Sequence, residues 1–175
     1  MNQLPPPRAT RDGGLPRAAL CLMTTACALT LAPSLAIAGP IETVKFANGN
    51  RYKGELKNGR MHGQGTHTWK NGGKYVGQWR DGVMHGGGTR TWPDRRSYKG
   101  EWRKNRQNGV GTYKWSNGDT YTGDWHDDRM HGNGTFKIAK GGRYTGAWRD
   151  DKMHGVGKRV FANGSVYQGP MVDDQ

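Results

Sequence analysis

Six tyrosines, Tyr52, Tyr75, Tyr98, Tyr121, Tyr144 and Tyr167, follow one another at intervals of 23 residues without a slip. A fixed period of that size marks a stack of like supersecondary units, each packed only on its neighbours. Each unit opens with Tyr-x-Gly-x-(aromatic or apolar), as in Tyr75-Val76-Gly77-Gln78-Trp79 and Tyr121-Thr122-Gly123-Asp124-Trp125. Further along come Met61-His62-Gly63, Met84-His85-Gly86, Met130-His131-Gly132 and Met153-His154-Gly155, with Gln107-Asn108-Gly109 in the third copy. A second glycine follows two residues on, at Gly65, Gly88, Gly111, Gly134 and Gly157.

The units must be strands. The chain has 29 glycines, and glycine costs a helix roughly 1 kcal/mol per position. Leu, Ile, Val and Phe total 22 of 175 residues, too few for an aliphatic core, whereas all 17 aromatic residues lie from Phe46 onward. Burial therefore falls to rings. In an extended strand Tyr121, Gly123 and Trp125 share a face, with glycine making room for a ring from the neighbouring strand. Gly111, Tyr113 and Trp115 do the same on the second strand. Trp79, Trp102, Trp125 and Trp148 close the first strand of their copies. Trp69, Trp92 and Trp115, with Ile138 and Phe161, share one repeat position and are expected to form a stacked apolar ladder. Asn71-Gly72, Asn117-Gly118 and Asn163-Gly164 read as hairpin-turn dipeptides that tolerate positive φ. Gly59, Gly82, Asn105, Asp128 and Asp151 share a second position open to left-handed backbone.

These residues resemble the MORN repeat (membrane occupation and recognition nexus), whose signature is Tyr-x-Gly-x-Trp followed by Gly-x-x-His-Gly-x-Gly. The resemblance covers residues 52–166 as five repeats, with a partial repeat over 39–51 and another over 167–175. It implies an all-β fold, an elongated single-layer antiparallel sheet of stacked β-hairpins. It also implies association with proteins or with phospholipid membranes. Enzyme activity in that family comes from other domains, none of which is legible here.

Residues 1–38 read as an address. Arg8, Arg11 and Arg17 precede an apolar run from Ala18 to Ala38 that ends in Ala36-Ile37-Ala38, the pattern of a cleaved secretory signal. The expected product is exported, periplasmic or secreted. An uncleaved anchor is the alternative, since the run approaches the roughly 20 residues that span a bilayer. Thr25-Ala26-Cys27 only hints at a lipoprotein site, because Thr24 stands where leucine is usual. Both cysteines, Cys21 and Cys27, fall in this segment, so the mature chain is expected to have neither disulfide nor thiolate chemistry. Cleavage leaves 24 basic and 13 acidic residues, a net charge of +11.

No catalytic grouping is expected. The column His62, His85, His131, His154 places equivalent residues about 9.5 Å apart, two strand spacings. A shared zinc needs each nitrogen near 2.1 Å. These histidines are read instead as loop caps bonding to backbone, a role open to Asn108 as well. Glu55, Glu101 and Asp124 are read as solvated charge pairs with Lys57, Arg103 and His126. No metal and no cofactor is expected, because an active site needs one irregular convergence of different groups.

The basic excess is the remaining signal. One column reads Arg60, Val83, Arg106, Arg129, Lys152, and another reads Lys57, Arg80, Arg103, His126, Arg149. Arg90, Arg95 and Arg96 add to it in the second copy. Such columns suit an anionic membrane lipid or another polyanion. Nucleic acid is disfavoured, since the rings it would stack on are needed for the core. The acidic residues interrupt the positive field, which favours a protein partner, another copy of the chain included, held on the aromatic face.

Overall fold

Glycine, asparagine and aspartate decide where this chain turns, and the computed structural model, which describes residues 39–171, shows two kinds of turn in alternation. The expected leader, residues 1–38, lies outside the described residues. Twelve strands follow in chain order. They are β1 (Ile41–Lys45), β2 (Arg51–Lys57), β3 (Arg60–Thr68), β4 (Lys74–Arg80), β5 (Val83–Thr91) and β6 (Ser97–Arg103). Then come β7 (Arg106–Lys114), β8 (Thr120–His126), β9 (Arg129–Lys137), β10 (Arg143–Arg149), β11 (Lys152–Val160) and β12 (Val166–Met171). All pair antiparallel with their sequence neighbours in one sheet of order β1 to β12. The fold is all-β, a single open sheet of consecutive hairpins.

Within each repeat the hairpin closes in a two-residue turn with both central residues at positive φ, such as Asp127 (47°) and Asp128 (70°). That is the turn whose twist matches the strands. Asn58, Asp81, Lys104, Asp127 and Asp150 take the first place, which the sequence did not disclose. Gly59, Gly82, Asn105, Asp128 and Asp151 take the second, as expected. These second residues also clasp the preceding repeat. Asp128 donates its N–H to Gln107 O at 3.0 Å and accepts the Gln107 N–H on Oδ1 at 2.8 Å. Asn105 does the same with Met84, and Asp151 with Met130.

Between repeats the turn is longer, and there the dipeptide reading needs correction. Of each Asn-Gly pair only the glycine, Gly72, Gly118 or Gly164, adopts positive φ; Asn71, Asn117 and Asn163 do not. Each asparagine instead accepts a backbone N–H two residues on, as Asn71 Oδ1 does from Gly73 at 3.1 Å. In the second copy Arg95 occupies the glycine place at φ 70°. A side chain there costs about 1 kcal/mol or more. Arg95→Gly is therefore expected to raise stability by about 1 kcal/mol in denaturant unfolding, offset in part by glycine's freedom in the unfolded chain.

Each within-repeat hairpin carries one irregularity. In the first repeat Gly54 faces Gly65, but the next residue, Glu55, faces His62, so Gly63 and Gln64 bulge away from β2. Both stay paired with β4, and Gly63 turns to φ 57°. The Tyr52 hydroxyl fills the opening, donating toward Glu55 O at 2.8 Å and His62 O at 3.2 Å. A Cβ on Gly65 would collide with the Tyr52 ring, which is why a ring at one position requires glycine at the other. The bulged Gln64 N–H is bonded by Glu55 Oε1 at 2.7 Å. Gln78 and Asp124 bond Gly87 and Asn133 in the same way, at 3.2 and 2.8 Å. The carboxylate column therefore serves the backbone; its expected pairing with Lys57, Arg103 and His126 does not occur among the described residues.

The two sheet edges are blunted. Glu42, opposite Gly54 on the aromatic side, puts a charge where other copies have glycine, and Pro170 removes a donor from β12. Charges and proline on edge strands discourage pairing with other chains.

Candidate functional site: an aromatic face and a basic face

Alternation gives the sheet two unlike sides. In β4 the pattern is strict: Tyr75, Gly77 and Trp79 are buried, and Lys74, Val76, Gln78 and Arg80 are exposed. The buried side is a zipper of rings. Trp102 meets Tyr98 of its own repeat edge-on at 5.0 Å and Tyr75 of the preceding repeat at 5.5 Å. Trp125 and Trp148 continue the zipper with Tyr98, Tyr121 and Tyr144, and Trp79 begins it with Tyr52 and Tyr75. Each of these four indoles donates Nε1–H to a glycine carbonyl at 3.2–3.3 Å. Burial raises the phenol pKa of Tyr52 to about 12, and those of Tyr75, Tyr98 and Tyr121 further still.

Trp69, Trp92 and Trp115 are only half-buried and do not stack directly on one another. A second column, His67, Arg90, Tyr113, Phe136 and Arg159, interleaves with them. Tyr113 lies between Trp92 and Trp115, at 5.7 and 4.6 Å, and Phe136 packs on Trp115 at 5.2 Å. Arg90 sits over Trp69 and Trp92, at 4.8 and 4.7 Å from their centroids. Where Ile138 and Phe161 replace the tryptophans the ladder opens, and they are 41% and 40% exposed. A groove of about 400 Å³ results, walled by Met130, Phe136, Trp148, Met153 and Phe161, with Arg159 over the Phe161 ring.

The opposite side is basic. Arg60, Arg80, Arg103, Arg106, Arg129, Arg149 and Lys152 are all exposed and flank the two-residue turns. Arg106 and Arg129 are not isolated cations, because they reach Asp127 and Asp150 of the following turn at 3.4 and 3.3 Å. Lys53, Lys74, Lys99, Lys114, Lys137 and Lys158 lie on the same exposed side. Sequence reasoning did not include them among the site residues, although four of them adjoin a buried-face tyrosine (Tyr52, Tyr75, Tyr98 or Tyr113) and so must point the other way. Thr112 and Thr122, and Thr135 and Thr145, are bonded through their hydroxyls at 3.0 Å between these lysines.

The histidine column behaves only in part as loop caps. Asp81 N–H donates to His62 Nδ1 at 3.4 Å, and Asn108 reaches the Asp127 carboxylate rather than backbone. His131 packs on His126 at 5.8 Å, and the buried His154 Nδ1 has no partner among the described residues. Among the described residues no group of three or more His, Cys, Asp or Glu side chains is arranged to hold a metal ion.

Comparison with known proteins agrees with the repeat pattern. The MORN repeat model matches residues 52–74, 75–95, 98–120, 121–143 and 144–166, the second match ending where Arg95 and Arg96 replace the turn glycine. No curated protein matches the chain. One similar solved structure is the TCP domain of SAS-4 from Drosophila melanogaster in complex with a proline-rich motif of Ana2. It is 15% identical, with a TM-score of 0.35, over 90% of this chain and 99% of that one. A likeness at that level says nothing about function. The five consecutive matches, laid over five hairpins of one sheet, show that the chain belongs to the MORN-repeat family, whose repeats are protein- or membrane-binding modules.

Proposed function

We propose that this chain is an exported, non-enzymatic scaffold that holds a protein segment on its aromatic face. The observation that carries this reading is the groove beside Ile138 and Phe161, apolar and open where these residues stand in for the ladder's tryptophans. An apolar groove rimmed by a few polar groups is the usual form of a binding site. The arginine-led apolar head and Ala36-Ile37-Ala38 support export. Regularity along the sheet supports a binding role over catalysis, since among the described residues no convergent set of reactive side chains interrupts it.

The second reading, docking on anionic lipid, is favoured by the one-sidedness of the basic face. The two readings differ in salt dependence. Coulombic attraction fades over a Debye length of about 8 Å at physiological salt, whereas apolar burial is unscreened. The full chain is expected not to sediment with anionic vesicles at physiological salt. Salt-sensitive sedimentation, abolished by joint reversal of Arg60, Arg106, Arg129 and Lys152, would overturn the first reading in favour of the second.

A further inference from the structure

We infer that the cleft beside Arg90, where the first two repeats meet on the aromatic face, receives a carboxylate of a bound peptide. This rests on the reading that the aromatic face holds a protein segment, and it specifies the chemistry that segment must carry. Arg90 stands in a column that elsewhere includes Tyr113 and Phe136, so a cation has taken the place of a ring. Its guanidinium lies against two indoles, Trp69 and Trp92. It makes no ion pair or hydrogen bond among the described residues, although it is half-buried. The neighbouring Arg96 shows the contrast, since Asp94 binds it at 2.6 Å.

A guanidinium drawn into an apolar wall loses hydration that stacking restores only in part. Its five N–H donors form a planar fork suited to two carboxylate oxygens. His67 lines the same cleft, 6% exposed, with Nδ1 unpartnered. Burial and the Arg90 charge both lower the His67 pKa, which keeps the imidazole neutral. Of the other charges that act on Arg90, Asp128 attracts it and Arg96 repels it, neither forming an ion pair with it, so its fork is left open to a carboxylate. The cleft has a volume of about 320 Å³, and Met61, Trp69, Trp79 and Met84 give it apolar walls for the side chain beside that carboxylate.

Selection of a random peptide library on the immobilised full chain tests this. Binders are expected to carry Asp, Glu or a free C-terminus next to an apolar residue. Converting that carboxylate to its amide is expected to weaken binding about tenfold or more, the loss of a charge-assisted hydrogen bond. Arg90→Gln is expected to cause the same loss, with no further loss when both changes are combined. Arg90→Lys, which keeps charge and stem should the glutamine variant fold poorly, is expected to restore only part of the affinity. Peptides that bind competitively with one another on the aromatic face but are indifferent to Arg90 would overturn the carboxylate assignment and leave the scaffold reading intact. Tighter binding of a phosphoserine version would also overturn it. Failure to select any peptide sensitive to Phe161→Asp or to Arg90→Gln would overturn both.

Discussion

Trp125→Ala is expected to lower stability by about 3–5 kcal/mol, the usual loss when a large buried aromatic is truncated. Trp125 is 6% exposed and packs against Tyr98, Tyr113 and Tyr121 at 5.4, 5.9 and 5.2 Å. Its removal also orphans Gly111 O, which accepts the indole N–H at 3.3 Å. Because repeats touch only their neighbours, the loss should concentrate on the β6–β9 region and loosen both halves. Arg129→Ala, on the other side of the same hairpin, removes an exposed ion pair with Asp150 at 3.3 Å. That change is expected to cost less than about 0.5 kcal/mol. Denaturant unfolding of the two variants side by side measures the contrast, and comparable losses would mean that the faces are wrongly assigned.

Raising the pH should unfold the protein cooperatively. Tyr52, Tyr75, Tyr98 and Tyr121 are buried, and burial disfavours their phenolates, moving Tyr52 to about 12 and the others higher. An unfolded tyrosine titrates near 10. Above that pH the unfolded chain has released protons that the folded chain still holds, so stability falls as pH rises. The contribution is present in full below about pH 10 and is lost between there and the folded values. Phenolate absorbance and the β-sheet circular dichroism signal are expected to change together. Ionisation of all the tyrosines near pH 10 with the sheet intact would show that these rings are not enclosed.

The period of 23 and the alternation of Tyr, Gly and Trp were enough to read the fold, because both follow from backbone geometry that each copy repeats. The left-handed places of Asn105, Asp128 and Asp151 were legible for the same reason. The bulge at Gly63 and Gln64 was not, since it depends on a tyrosine hydroxyl entering the ladder from the same strand. That one feature turned Glu55 and Asp124 from surface charges into partners of backbone N–H groups. The seven tryptophans also divide in a way that no strand pattern announces. Four are closed in by at least two tyrosines each, while Trp69, Trp92 and Trp115 depend on what the interleaving column supplies. Arg90 was legible as a charge and not as the filling of an aromatic ladder.

Photo-crosslinking in the producing cell tests the central claim most directly. A photoreactive residue replaces Phe161 on the aromatic face in one variant and Thr112 on the basic face in another. The scaffold reading predicts a discrete protein adduct at position 161 that persists at high salt, and none at position 112. Protein or lipid adducts at position 112 with none at position 161 would contradict it.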